Sequence, residues 1–350
     1  MATGQWLSLL DLARRLDPYG KIDYIAEMLS QANDVWDDTP WIESNEVGGH
    51  KFTFRTSIPA GSWRQYLQGV PYAKSTTAQA TVGVGALEDY SQIDRMQAED
   101  SGDVARYRES EDAAFLEGMS QTMAGTEFYG NTVVSPAEFM GFSPFYNTVN
   151  TATALNAANV IDAGGTGNNN CSFWLICWGE RTIFNIYPRG SKAGLTMEDK
   201  GDTVPGFDSL GNRFEAYTSW FRQQAGLCPM DWRYGVRGAN FDTTTAAGGL
   251  ASTTPPDIFA IMAQAMYLPP TLGKGMSGIT KTDAPDEPSP SIRPVIYMNR
   301  TMRHWADVQM IRDRNVLLRV DDYDGHPCES YRGIPIKIVD QLLNTEARVV

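Results

Sequence analysis

NVIDAGGTGNNN at residues 159–170 leads into CSFWLICWGERTIFNIYPRGSKAGL at 171–195 and, past a turn rich in Gly and Asp, into GNRFEAYTSWFRQQAGLCPMDWRYGVRGANFD at 211–242. Two strand-like apolar runs, a YPRGSKAGL turn and a DWRYGVRGAN segment therefore follow in fixed order. No catalytic constellation stands between them. The pattern speaks of architecture before chemistry.

Upstream, DVARYRESEDAAFLEGMSQTMAGTEFY (103–129) carries the strongest helical signal of the chain. Asp103 or Ser101 can cap its start, and Val104, Tyr107, Phe115, Met119 and Met123 fall along one stripe. At 1.5 Å per residue it spans on the order of 40 Å, long for a compact domain. Gly130, in Tyr129–Gly130–Asn131, supplies the stop. Residues 46–87 alternate as strands do: Lys51–Thr56 sets Phe52 and Phe54 on one face, and a Pro59–Ala60–Gly61 turn leads to Trp63 and then to TTAQATVGVGAL. Few large apolar residues occupy the second half of this hairpin, and an isolated hairpin is marginal in water. It needs a surface to lie on.

Nearer the start, Leu9, Leu10, Leu12 and Leu16, then Ile22, Ile25, Met28 and Leu29, predict two short amphipathic helices broken by DPYG (17–20). A turn at Asp37–Pro40 follows. Between 150 and 292 the composition shifts to Gly, Asn, Thr and Pro around short strands. DIFAIMAQAMY (257–267) predicts a helix stopped by Pro269–Pro270, and Leu272–Ser291 reads as a long irregular loop. The last stretch predicts a strand at Val295–Asn299, a helix over 300–311, a strand in NVLLRVDDYDG and another in YRGIPIKIVDQLL, with Pro327 and Pro335 at edge or strand-start positions.

At 350 residues two or three lobes or one elaborate fold are expected, and 42% hydrophobic residues support a large core. A net charge of −13 argues against a general nucleic-acid binder or a protein docked on an anionic membrane. Cys171, Cys177, Cys228 and Cys328 form no CxxC pair, and His50, His304 and His326 are scattered, so neither zinc spacing nor a disulfide framework is present. The thiols read as reduced core residues of a chain folded in the cytoplasm. No secretory pattern opens the sequence, and no run approaches the ~20 apolar residues of a membrane span.

Candidate chemistry is sparse. Gly83–Val84–Gly85 and Gly164–Gly165–Thr166–Gly167 fit neither a P-loop nor a dinucleotide fingerprint. Gly190–Ser191–Lys192–Ala193–Gly194 has the order GSxxG, not the GxSxG of a nucleophile elbow, and reads as a tight corner. Acidic pairs at Asp37–Asp38, Glu198–Asp199 and Asp321–Asp322 sit beside turn formers. Arg293, Arg300, Arg303, Arg312, Arg314 and Arg319 crowd the final quarter, as a mixed-charge face, as an interface network of salt bridges or, third, as a DNA patch. No cofactor and no metal site is expected.

The ordered segments resemble the major capsid proteins of tailed bacteriophages, short-tailed ones in particular, with the Hong Kong 97-type fold. Beyond residues 159–242, LLDLARRLDPYGKIDYIAEMLSQAND (9–34) is similar to that family's N-terminal arm, and HKFTFRTSIPAGSWRQYLQGV (50–70) to the start of its extended loop. RESEDAAFLEGMSQTMAGTEFYGN (108–131) resembles its spine helix and YRGIPIKIVDQLL (331–343) its closing strand. The resemblance implies an α+β fold with an arm at 1–45, an extended β-hairpin loop at 46–90, a peripheral domain with the spine helix at 91–149, an axial domain at 150–292, and returning peripheral strands at 293–350. It implies a non-enzymatic coat protein that self-assembles as pentamers and hexamers into an icosahedral shell around double-stranded DNA. Scaffold, portal and decoration proteins are its further expected partners, and the packaged DNA faces the inner surface without sequence-specific binding. Such a subunit folds in the host cytoplasm and resides in the virion. Lys51, Arg55, Trp63 and Arg64 are its expected subunit contacts. Two alternatives belong to other classes: a hydrolase with a β-rich substrate domain, marked by an acid/base pair in a deep pocket, and a β-rich tail or adhesion module, marked by a compact trimer.

Overall fold

The computed structural model describes residues 31–202, 204–207, 210–244, 248–270, 292–313, 318–323 and 326–350. The two helices expected between residues 6 and 29 and the loop expected at Leu272–Ser291 lie outside them. The described strands are β1 (Trp41–Glu43), β2 (Gly49–Ser57), β3 (Thr76–Gly83), β4 (Gly85–Asp94), β5 (Val160–Asp162), β6 (Asn170–Trp178), β7 (Ile183–Tyr187), β8 (Leu195–Gly201), β9 (Pro205–Phe207), β10 (Arg213–Pro229), β11 (Gly235–Asp242), β12 (Arg293–Met298), β13 (Leu318–Tyr323), β14 (His326–Tyr331) and β15 (Ile334–Ile338). Three longer helices accompany them: Val104–Tyr129, Ile258–Tyr267 and Arg300–Asp313. The fold is α+β, as expected.

Every residue of β6 is buried. Its side chains alternate between two cores, as the twofold period of a strand requires. Trp174, Ile176 and Trp178 face Met123 and Phe128 of the long helix together with Phe139, Phe142 and Tyr146. Cys171, Phe173 and Leu175 face Ile258, Phe259, Met262 and Met266 of the second helix and Met302 of the third. Strands β11 and β12 flank β6, both antiparallel to it. Gly238 of β11 lies over Phe173, whose ring is 2.2 Å from where a Cβ would stand, so the close approach of the two strands needs a glycine there. Each large side chain buried in these layers contributes roughly 1.5–3 kcal/mol.

The long helix runs Val104–Tyr129, with the Asp103 side chain accepting from the Arg106 N–H as its cap. Tyr107, Met119 and Met123 are buried, which matches the predicted stripe. The helix ends at Gly130, whose φ of −51° is not left-handed. Glycine is required there for space instead: a Cβ would stand 2.4 Å from the Phe139 carbonyl oxygen and 2.6 Å from that of Thr126. Arg108 of this helix pairs with Asp199 of β8 at 2.6 Å, and Ser219 of β10 donates to Asp112 at 2.9 Å.

Strand β10 is 17 residues long and serves two neighbourhoods. Ala216–Ala225 pairs with β4 on one side, Thr218–Gln223 with β8 on the other, and Gly226–Pro229 with β7. The TTAQATVGVGAL run is thus two strands, broken at Val84: β3 belongs to the hairpin and β4 to the large sheet. Residue 90 falls within β4, and β12, which begins at Arg293, pairs with β6. A two-residue turn at Arg332–Gly333, both with positive φ, joins β14 to β15 in the manner of a type I′ hairpin.

A buried clamp closes the fold. Arg237 of β11 donates to Glu346 at 2.9 Å and to the Tyr146 carbonyl at 2.9 Å, and its guanidinium lies 5.0 Å over the Trp174 ring. Glu346 also accepts from Tyr129 and Ser172 hydroxyls. Asn240 and Val349 exchange two hydrogen bonds of 2.8 Å each. On the opposite approach, Asp38 accepts from Tyr297 at 2.7 Å and from Lys337 at 2.9 Å. Residues 31–38 and 339–350 are therefore held by charge-assisted contacts to the central strands.

Two outcomes follow from these buried charges. Glu346→Ala leaves the Arg237 guanidinium buried without its carboxylate, and denaturant unfolding is expected to show a loss of about 3–5 kcal/mol. Glu127 is fully buried on the long helix, and burial pushes its carboxyl from 4.5 up to about 8, the facing Asn185 amide lowering it less than burial raises it. A raised folded value means that the stability held by the protonated form is complete below the unfolded value and drains away as pH climbs toward about 8. Glu127→Gln is expected to flatten the fall of the melting temperature across that window; an unchanged slope would assign the fall to other groups.

Candidate subunit-contact surface

Strands β2 and β3 form a separate two-stranded sheet, paired from Gly49↔Gly83 to Arg55↔Thr77 and, past a register shift, at Ser57↔Thr76. The base is anchored. Val82 packs with Phe184, Ile186 and Cys228, and Phe52 lies against that cluster. The His50 ring meets Phe184 edge-on at 5.6 Å, and burial lowers its pKa. Gly226 of β10 makes room for the hairpin, since a Cβ there would stand 2.5 Å from the Gly83 carbonyl oxygen. At ~3.4 Å per residue β2 carries the chain about 27 Å from this base. Thr76 closes the far end, bonded at 2.7 Å to both Thr56 and Ser57.

Beyond Ser57 the loop to Thr76 presents apolar side chains to solvent. Trp63, Leu67 and Tyr72 are fully exposed and Tyr66 is 97% exposed. Leu67 has a φ of +70°, in a 65–68 turn closed by a 3.2 Å backbone bond from Gln68 to Gln65. That conformation costs an L-residue about 1–2 kcal/mol and is ordinarily given to Gly or Asn. A leucine held there, with nothing covering it, does not serve the stability of its own subunit. Exposed large apolar side chains of this kind make the tip the candidate contact surface.

The expected contact residues are spread along this arm. Lys51 lies near the base, with its amine 3.2 Å from Glu46 and its backbone bonded twice to the Asn45 side chain. Arg55 is exposed four residues further on the same strand. Trp63 and Arg64 sit in the tip, where Arg64 donates to the Gln68 carbonyl at 3.3 Å. Tyr66, Leu67 and Tyr72 join them there and were missed in the sequence reading. Their signal was an aromatic cluster between Pro59 and Pro71–Tyr72 with neither helical nor strand period. Between Glu46 and Glu88 the sequence has no carboxylate, yet holds Lys51, Arg55, Arg64 and Lys74. The hairpin is therefore a cationic arm: with −13 overall and four cations in the arm, −17 remains for the rest of the chain.

A family model described as major capsid protein GP7 matches residues 17–350. The chain belongs to the major capsid protein GP7 family. A chain in the near-atomic structure of bacteriophage Epsilon15 is 31% identical over 100% of this chain and 99% of its own, with a TM-score of 0.71. The bacteriophage JBD30 capsid gives 10% identity, covering 90% and 93%, at a TM-score of 0.46. The capsid of a native GTA particle gives 8% identity, covering 64% and 95%, at 0.45. No curated protein matches the sequence. The fold is thus that of the tailed-phage, Hong Kong 97-type capsid proteins, and the capsid protein is a virion component that associates with copies of itself into a shell. Family membership sets aside the hydrolase and tail-adhesion alternatives.

No helix among the described residues is long and apolar enough to cross a membrane. The three described thiols, Cys171, Cys177 and Cys228, are free and buried, and burial raises the pKa of each, as suits core residues. Arg300 and Arg303, of the arginine-rich last quarter, pair within the subunit with Asp340 and Asp307. The tip side chains lie outside every packed core, so Trp63→Ala and Tyr72→Ala are expected to change subunit stability in denaturant by no more than about 0.5 kcal/mol.

Proposed function

We propose that this capsid protein forms pentamers and hexamers of an icosahedral shell around double-stranded DNA, and that the 49–83 hairpin contributes by lying across a neighbouring copy. The observation that carries this reading is the hairpin tip: a cationic arm some 27 Å long, ending in four exposed large side chains, on a chain whose remainder is acidic. Lys51, Arg55, Trp63 and Arg64 are the proposed contacts, with Tyr66 and Tyr72 beside them. Aromatic and Arg residues anchor interfaces because they bury large area at little rotamer cost. Many weak copies of one contact add up in a closed assembly.

In this proposal the protein works without catalysis, and its acidic remainder keeps packaged DNA from adhering to the shell. The arm is proposed as residues 1–45 and the extended loop as 46–90. The peripheral domain is proposed as 91–149 with the returning strands of 293–350, and the axial domain as 150–292. Assembly in the host cytoplasm, with scaffold, portal and decoration proteins, completes the picture.

Purified protein is expected to associate into capsomers or closed particles as added salt screens its charge, read by light scattering and electron microscopy. Only monomers across salt and concentration, with a scaffold protein supplied, would falsify the shell. Amide exchange across residues 58–75 is expected to be fast in the free subunit and slow in particles. Trp63→Ala is expected to weaken association by about 1–3 kcal/mol per contact. Equal exchange in both states would return the loop to its own subunit.

A further inference from the structure

A second cationic feature lies away from the hairpin. The corner at residues 188–194 folds back over β10 and leaves a cleft of about 310 Å³ lined by Ser191, Lys192, Thr196, Arg222 and Gln224, with Gly190 and Gly194 in its wall. Both glycines have positive φ, +79° and +85°, so the corner needs them to turn back. Arg222 reaches the cleft pre-positioned. Its guanidinium lies 5.0 Å over the Trp220 ring, and Trp220 in turn stacks on Tyr90 at 6.1 Å. Thr196 donates to the Arg222 carbonyl at 3.0 Å, tying the cleft floor to the strand.

Neither Lys192 nor Arg222 makes an ion pair among the described residues, whereas Lys200 on the same sheet pairs with Glu198 at 2.6 Å. Two carboxylates stand close by in the fold, Glu43 and Glu88. Glu43 accepts the Gly190 backbone N–H at 2.8 Å. Glu88 stands opposite Arg222 in the ladder, exposed. The cleft is thus lined by two cations, the partly buried Arg222 and the exposed Lys192, neither in an ion pair among the described residues, on a chain with 42 acidic and 29 basic residues.

We infer that the cleft formed by Lys192, Arg222 and Gln224 receives a carboxylate side chain from a second copy of this chain, as an inter-subunit contact distinct from the hairpin tip. The inference rests on the shell reading. The surplus of carboxylates on every copy makes the acidic side chain the abundant complement. The same net charge of −13 disfavours the phosphates of DNA as the occupant. Arg222 supplies a planar fork suited to two carboxylate oxygens, Lys192 a second charge, and the Gln224 amide a neutral donor. The stacking of Arg222 on Trp220 reduces the rotamer freedom lost on binding.

The test uses full-length protein in particles assembled from a mixture of unlabelled and ¹⁵N-labelled subunits. Zero-length carbodiimide coupling followed by peptide mass analysis is expected to join Lys192 to an Asp or Glu in mixed-isotope pairs. Lys192→Glu, on the exposed corner, is expected to melt like the parent and to associate at least about tenfold more slowly. Arg222→Lys keeps the charge without the fork and is expected to fall between the two. Parent-like association of Lys192→Glu, or coupling confined to same-isotope peptides, would overturn the cleft contact while leaving the shell reading intact. Particles of Lys192→Glu that form normally but retain DNA less well would also overturn it, by assigning the cleft to phosphate. A parent protein that never associates removes both readings together.

Discussion

Strand β6 has no face toward water, and the rest of the subunit is arranged around that constraint. A strand buried on both sides must be covered by two layers. Here the long helix and the segment 139–146 supply one, and the helices Ile258–Tyr267 and Arg300–Asp313 the other. Its edges must also be paired, because a buried unbonded backbone group costs more than a hydrogen bond gains. Strands β11 and β12 meet that demand. The polar atoms drawn in with them then need partners of their own. Arg237 enters on β11 and finds Glu346, which arrives from 109 residues away, so closing the core fixes the path of residues 339–350 as well.

The hairpin obeys the opposite logic. Its base is packed on β7 and β10, but its tip displays Trp63, Tyr66, Leu67 and Tyr72 with no surface of its own to cover them. Leu67 even occupies a backbone conformation better suited to glycine. Selection for the isolated subunit would bury such residues or replace them. Under the proposed shell contact, the cost to the free subunit is offset only when another copy covers them. Core and hairpin thus differ in kind: the core buries its large side chains within the subunit, and the hairpin tip leaves its own exposed.

Local signals in the sequence were sufficient for elements that are stabilised locally. Asp103 caps the long helix and its Tyr107–Met119–Met123 stripe is buried; Asp257 caps the next helix, accepting from Ala260 at 3.0 Å. The alternation at Lys51–Thr56 became β2. What escaped detection depends on partners distant in sequence. LTMEDKG looks like part of a polar turn, yet it forms β8 because β10 offers it an edge. Gly130 was legible as a helix stop, but the reason for a glycine there is a neighbouring carbonyl. The Arg237–Glu346 clamp had no sequence signal, since one arginine and one glutamate far apart are indistinguishable from surface charges until the chain folds. In the contact surface, Trp63 was legible as an aromatic beside a turn, whereas the left-handed Leu67 required the backbone.

The length of β10 joins these two parts. Its first part holds β4, β8 and the long helix, through Ser219 to Asp112, while its last four residues bond to β7 beside the base of the hairpin. Because the strand is continuous, a load arriving at the hairpin base passes into hydrogen-bonded ladder on both sides and not into a flexible joint. Gly226 stands at the junction, where the hairpin backbone comes so close that no side chain fits. The cleft at Lys192 and Arg222 lies on the same strand, four residues back from that glycine. The proposed hairpin and cleft contacts would therefore bear on one strand. A shell subunit must turn contacts at its edges into a fixed orientation of its body, and a single strand bonded to both edges and core does this with the least slack.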